Sequence, residues 1–189
     1  MKQCGTNVTC VDKANVFVSM AFFREVFDGV ARSYPAIGAR HHYVDAMALD
    51  LVRRPWDFDV LVTENMFGDI LSDQIAGLIG GMGMAPSADI GDAHAMLQPC
   101  HGSAPDIAGE GKANPTATIL SAAMMLDWLG ERSGNPGLLQ AAAKLQQAAD
   151  GGVRIVPIPC ELGGGDGTRA IADASPRTCS RAFHRTRRG

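Results

Sequence analysis

Two hydrophobic periods take turns along this chain. The run "NVTCVD" (residues 7–12) is short and rich in β-branched residues, which predicts a strand. Phe22, Phe23, Val26, Phe27 and Val30 then recur at helical spacing and predict a helix over residues 16–33. After the turn "YPAIG", the stretch "ARHHYVD" leads extended into a second helix over residues 46–53. "FDVLVT" (58–63) has the length and branching of a buried strand. A helix follows through "ENMFGDILSDQIAG" and is stopped by the Gly/Pro-rich "GGMGMAPS" at residues 80–87, the expected hinge or boundary.

Further on, "NPTATILSAAMMLDWLG" begins with Asn114 as an expected N-cap and Pro115 at the first helical position. Its Ala, Met and Leu content predicts a deeply buried helix. A more polar helix over residues 137–149 leads to the strand-like "VRIVPI". Alternating strands and helices predict an α/β fold, with a mixed sheet flanked by helices.

Composition narrows the function. With 189 residues, 46% hydrophobic and 20% charged, the chain reads as a soluble globular protein. It has no apolar run long enough for a bilayer and no signal-peptide pattern, so the expected location is cytoplasmic. The five cysteines are scattered and never form a C-x-x-C pair, which predicts reduced thiols rather than disulfides or zinc. Net charge is −3, yet residues 174–189 hold five arginines and no acid, so the remainder is more acidic still. That argues against nucleic-acid binding by the folded part, and the basic end is expected to be a disordered tail.

Asp69 and Asp73 stand one turn apart on their predicted helix, on a stripe that Ala76 and Gly80 extend. Phe67, Leu71, Ile75 and Leu78 occupy the opposite face. Two readings stay open at this point: a solvated face, or a pair of hard oxygen ligands suited to Mg²⁺ or Mn²⁺. Like charges at this spacing repel unless a cation lies between them. Lys13 and Asp45 each follow an extended stretch, where α/β folds place functional groups. His101 heads "CHGSAPD", a loop of small residues that permits close backbone approach to a ligand. Neither G-x-G-x-x-G nor G-x-x-x-x-G-K-[ST] occurs.

Taken together, "DKAN", "YVDA", "VTENMFGDILSD", "GGMGMAPSADIG", "HGSAPDIAG" and "KANPTATILSAAMML" resemble the isopropylmalate/isocitrate dehydrogenase family of metal-dependent β-decarboxylating dehydrogenases. That family includes tartrate and malate enzymes. The resemblance implies an isopropylmalate dehydrogenase-like fold, incomplete in this chain. Residues 1–80 would form part of a substrate and dimerisation domain, and residues 81–173 the C-terminal part of a nucleotide-binding domain. It implies that Lys13 takes part in proton transfer at the substrate hydroxyl and that Asn15 lies near substrate and nicotinamide. Asp45 matches a metal-binding, catalytic aspartate that one subunit lends to its partner's site, and Asp69 and Asp73 match the aspartates of that same site.

His101, Gly102, Ser103, Ala104, Pro105 and Asp106 match the loop that holds the adenosine half of the dinucleotide. Asn114 matches an asparagine contacting adenine. An acid at Asp106 goes with NAD in this resemblance, because a carboxylate accepts from ribose hydroxyls and repels a 2′-phosphate. The implied reaction is oxidative decarboxylation of a 2-hydroxy acid of the isopropylmalate, malate or tartrate type, in a homodimer or paired with a full-length relative. The match begins well inside the family's usual length, without the upstream arginines and tyrosine, so this chain alone is expected to have little activity. Its other expected role is that of a non-catalytic subunit. "LGGGDGTRAIADA" looks like the family's closing segment, and the arginine-rich end matches nothing.

Overall fold

The computed structural model describes residues 7–155 and 158–174, the side chains of 150–155 excepted. They fall into two compact units, residues 7–78 and the described residues from Ile79 onward.

The first unit is a parallel sheet with its helices. Strand β1 (Asn7–Asp12) lies between β2 (Gly38–Tyr43) and β3 (Val60–Val62), in the order β2-β1-β3. Both pairings are parallel, with Asp12 opposite Tyr43 and Val8 opposite Val60. Helix α1 (Val18–Ala31) links β1 to β2, and α2 (Val44–Arg53) follows β2 without a gap. Helix α3 (Asn65–Leu78) follows β3. The core is Val11, Met47, Leu51 and Leu71, with Phe58, Leu61 and Ile75 packed against it.

Central position decides burial in this sheet. "FDVLVT" was expected to be the buried strand, but only Val60–Val62 form it, half-exposed at a sheet edge. The buried strand is β1, whose Thr9 to Asp12 are all inside. Helix α1 forms as its apolar spacing predicts, and none of its residues is buried.

Helix α3 starts where it does because of Glu64. The Glu64 carboxylate accepts hydrogen bonds from Met66 N (3.0 Å) and Phe67 N (2.8 Å), satisfying two N–H groups that have no partner within the helix. Leu71 and Ile75 then turn to the core while Asp69 and Asp73 stay exposed. Ala76, expected to extend the aspartate stripe in the open, is buried, and Leu78 is exposed rather than on the core face.

In the second unit, β4 (Pro86–Ile90) and β5 (Ala95–Pro99) form an antiparallel hairpin that the pattern did not predict. Helix α4 (Thr116–Ser133) packs on the hairpin and on α5 (Pro136–Ile155). The N-cap of α4 is Pro115, one residue later than expected, because the helix begins at Thr116; Asn114 stands just ahead of it, its Oδ1 accepting from Thr116 N at 3.1 Å. The helix is not deeply buried all round: Thr116, Ala117, Ser121, Ala123 and Gly130 are inside, while Met125 and Leu129 are exposed. A side chain at Gly130 would place its Cβ 2.7 Å from Leu139 Cδ2, so the small face is what admits α5.

"VRIVPI" does not open a strand. Residues 153–155 continue α5, because extending an existing helix adds a hydrogen bond per residue without a new nucleus. Val156 and Pro157 lie outside the described residues, as does the arginine-rich tail from residue 175. No helix among the described residues is long and apolar enough to cross a membrane. Cys10 and Cys160 are free thiols, Cys100 is exposed, and Cys4 and Cys179 lie outside the described residues.

Candidate functional site

Parallel register builds the first group of site residues. Because Asp12 pairs with Tyr43, the residues just past both strand ends are neighbours. Lys13 leaves β1 there, and Asp45 stands in the first turn of α2. Lys13 Nζ lies 2.6 Å from Asp45 Oδ1. The lysine is mostly enclosed and the aspartate mostly open, with side-chain exposures of 21% and 68%. The hydrogen bond from Lys13, followed by N–H groups at the start of α2, holds the Asp45 carboxyl below its ordinary pKa. Asp45 is therefore a settled anion that fixes the ammonium in place. Asn15 is exposed on the turn that follows Lys13.

Behind this pair is a buried anchor that sequence reasoning missed. Asp12 is fully buried and receives two bonds from one guanidinium: Arg24 Nε to Oδ2 at 2.8 Å and Arg24 Nη2 to Oδ1 at 2.7 Å. Ala14 N donates to Oδ1 at 2.8 Å, and the Cys10 thiol lies 3.6 Å from Oδ2. Burial is the largest effect on Asp12 and alone would raise its pKa. The Arg24 and Ala14 hydrogen bonds together outweigh it, so the carboxyl is held below its ordinary value. Tyr43 presents its ring to both cations, 5.9 Å from Lys13 Nζ and 5.2 Å from Arg24 Cζ. No spacing rule points to this pair, since Asp12 ends a strand and Arg24 stands about two turns into α1.

Asp69 and Asp73 are both exposed on α3. Among the described residues, no three His, Cys, Asp or Glu side chains come close enough to hold a metal ion together. Asp45 is not brought to the α3 aspartates; its partner is Lys13. The donor chemistry of Asp69 and Asp73 fits a hard divalent cation, but one chain provides an incomplete set.

The second unit contains the largest cavity described, about 950 Å³. That is the upper end of ligand-pocket size. His101, Gly102, Ser103 and Ala104 line one side, and the loop from Gly109 to Asn114 another. Ala104 takes a left-handed conformation (φ 45°), the one non-glycine residue described with positive φ. Pro105 and Asp106 sit on the exposed turn after it and do not line the cavity. The acid that does is Glu161, which sequence reasoning did not single out. Its carboxylate accepts from Asn114 Nδ2 (2.9 Å) and Gly83 N (3.2 Å). A Cβ at Gly83 would lie 2.5 Å from Glu161 Oε2, so this approach requires glycine.

Asn114 itself is buried and fully occupied. Its Oδ1 serves Thr116 N and Oγ1, and its Nδ2 serves Glu161 and the Met84 sulfur (3.2 Å). The closing segment is stitched to the same loop, with Thr168 N donating to Gly111 O at 2.7 Å and Thr168 Oγ1 to Ala113 O.

The fold is that of the isocitrate/isopropylmalate dehydrogenases. The structure superposes on the crystal structure of isocitrate dehydrogenase from Methylococcus capsulatus with a TM-score of 0.80 at 40% identity, over 92% of this chain and 50% of that one. The family described as isocitrate/isopropylmalate dehydrogenase matches residues 1–171, and the chain belongs to it. It is 47% identical to the 3-isopropylmalate/3-methylmalate dehydrogenase of Methanocaldococcus jannaschii, over 88% of this chain and 48% of the relative. It is 48% identical to the isocitrate/homoisocitrate dehydrogenase of Thermus thermophilus, over 86% of this chain and 47% of the relative. The chain thus spans about half the length of the curated relatives it matches.

Proposed function

We propose that this chain carries half of an NAD- and metal-dependent dehydrogenase that oxidatively decarboxylates a 2-hydroxy acid, and that alone it turns over little or not at all. The observation that carries this reading is the 2.6 Å pair between Lys13 and Asp45, raised at adjacent ends of parallel strands. On this reading Lys13 holds and moves the proton at the substrate hydroxyl, while Asp45 keeps the ammonium oriented. Because the two side chains touch, a subunit that lends Asp45 to its partner lends Lys13 with it. Asp69 and Asp73 of one chain and Asp45 of another would hold Mg²⁺ or Mn²⁺. When bound, that ion would supply Lewis-acid chemistry and NAD the capacity to take up a hydride.

The cavity lined by His101 to Ala104 and Asn114 would take the adenosine half of NAD. Glu161, which lines it, disfavours a 2′-phosphate, and an acid at Asp106 goes with NAD in the family resemblance, which supports NAD over NADP. Substrate identity is not selected by overall likeness: relatives acting on isopropylmalate and on isocitrate match almost equally, at 47% and 48%.

A hybrid dimer tests the proposal. A full-length relative whose counterparts of Lys13 and Asp45 are alanine should be inactive with its own substrate, NAD and Mn²⁺. Adding this chain should restore NADH production, read by absorbance, and the Lys13→Ala chain should not. Co-elution of the two chains without recovered turnover would overturn the catalytic roles of Lys13 and Asp45. It would leave the other reading, a non-catalytic partner subunit, in its place.

A further inference from the structure

Lys13 and Asp45 touch at 2.6 Å, but an ion pair of that length does not by itself hold a lysine still. Lys112 and Glu110 in the second unit are also 2.6 Å apart, and there the lysine side chain stays 57% exposed. Pairs open to this degree are weakly held, because solvent screens the attraction and ordering two side chains costs entropy. Lys13 differs. Its side chain is 21% exposed although its partner is 68% exposed, so its cover comes from more than Asp45.

The aromatic neighbour of the ammonium is Tyr43, whose ring centroid lies 5.9 Å from Lys13 Nζ. The face of an aromatic ring carries partial negative charge and attracts a cation out to about 6 Å. Strand register explains the placement. Tyr43 ends β2 opposite Asp12, the residue before Lys13, and Asp45 follows in the first turn of α2. One short stretch, residues 43–45, therefore offers Lys13 both a ring and a carboxylate. The ring is itself anchored, with Arg24 Cζ 5.2 Å from the same centroid. Arg24 cannot swing away, because the buried Asp12 carboxylate takes two bonds from it. The Asp12 hydrogen bond first, and the Tyr43 hydroxyl after it, hold the guanidinium above its ordinary pKa. Tyr43 thus meets Arg24 through its ring and its oxygen, and Lys13 through its ring.

We propose that Tyr43 is a positioning residue for Lys13: its ring, anchored by Arg24, holds the ammonium against Asp45 and so keeps it aimed at the substrate hydroxyl. The consequence for turnover rests on the proton-transfer reading of Lys13, whereas the contact itself does not. Asp45 gives the ammonium its direction, and the ring restricts its range. Because the ring rather than the hydroxyl faces Lys13, phenylalanine serves in this role and an aliphatic side chain does not.

The test labels the lysines of the full 189-residue chain with carbon-13 and reads side-chain order at Cε from NMR relaxation, with Lys13→Arg assigning the signal. In the unaltered chain Lys13 should be more ordered than Lys112. Tyr43→Leu should bring Lys13 down to the order of Lys112, and Tyr43→Phe should keep it high. Buried Cys10 reports on the fold, and it should stay unreactive to iodoacetamide in both variants. Tyr43→Met, long and without a ring, repeats the measurement if leucine exposes Cys10. In the hybrid dimer Tyr43→Leu should lower kcat by about fivefold and move the substrate KM by less than about twofold. Undiminished order in Tyr43→Leu would overturn the proposal, and so would order lost equally in Tyr43→Phe, which would assign the effect to the hydroxyl. Cys10 exposed in both the leucine and methionine variants would make Tyr43 a structural residue instead. Unchanged kcat in an active hybrid dimer would overturn the consequence for turnover. The order measurement needs no turnover, so failure of the ring to hold Lys13 is distinct from failure of Lys13 to act.

Discussion

Replacing Arg24 by methionine should reverse how the stability of the first unit responds to pH. The Asp12 carboxylate is fully buried and takes its two shortest side-chain hydrogen bonds, 2.8 and 2.7 Å, from Arg24. Removing one partner of a buried ion pair leaves the other charge uncompensated and costs about 3–5 kcal/mol. The Arg24 side chain is itself 26% exposed, and Ala14 N still donates to Asp12 in the variant, so the lower end is expected, about 3 kcal/mol. Domain stability is only about 5–15 kcal/mol, so such a loss is large.

The sign follows from proton binding. With Arg24 present, the folded pKa of Asp12 lies below its ordinary value, so the unfolded chain binds the proton more readily. The stabilisation is then complete above about pH 4 and lost as pH falls through the lower folded value. Without Arg24, burial is no longer outweighed and the folded pKa rises above the ordinary value. The folded state then binds the proton more readily, and stability falls as pH rises from about 4 towards neutrality. Urea denaturation by circular dichroism across this range reads the slope, and exchange of the Cys10 and Val11 amides assigns it to this unit. The double variant Arg24→Met with Asp12→Asn should recover part of the loss, since no charge stays buried. A loss below about 1 kcal/mol, or an unchanged pH slope, would refute the reasoning.

Two further outcomes test other parts of the fold. Gly130→Ala should destabilise the second unit by about 1–2 kcal/mol despite the better helix former, because its Cβ would meet Leu139 Cγ at 2.9 Å and Leu139 N at 3.1 Å; a thermal scan checks this. Burial, reinforced by the Asp12 carboxylate, pushes the Cys10 thiol up to about 12, so at pH 8 iodoacetamide should modify exposed Cys100 and Cys160 and leave Cys10 intact until the chain unfolds. Peptide mass spectrometry reads this directly, and equal labelling of Cys10 and Cys100 in the folded chain would contradict it.

Local pattern carried β1 to its exact limits and α1 to within about two residues, because composition and spacing there agree with burial or turn chemistry. It failed at β4 and β5, where prolines stand at the hairpin's outer ends and the strands are held by each other and by α4 rather than by alternation. It misjudged "FDVLVT" because strand order, not sequence, decides which of three parallel strands is central. Motifs singled out Lys13, Asp45 and Asn114 as candidates, but not the charged groups packed around them. Asp12, Arg24 and Glu161 belong to no spacing rule. Arg24 reaches Asp12 only once α1 folds back beside β1, and Glu161 reaches Asn114 across 47 residues.

Asp12 and Lys13 are adjacent in sequence and opposite in character, and that contrast links the fold to the proposed chemistry. Successive residues at the end of β1 take opposite environments: Asp12 inward to Arg24, Lys13 outward to Asp45. The inner pair fixes the backbone from which the outer pair projects, since Asp12 Oδ1 also binds Ala14 N on the far side of Lys13. Loss of Arg24 should therefore loosen the lysine as well as the unit. A conservative Arg24→Lys variant keeps the charge but not the two-pronged geometry. If the inner pair acts only as charge, that variant should keep the Lys13–Asp45 contact; if it acts as a brace, the contact should weaken while most of the stability returns. The two-bond geometry favours the brace, so in the hybrid dimer Arg24→Lys should lower turnover by more than its loss of stability accounts for.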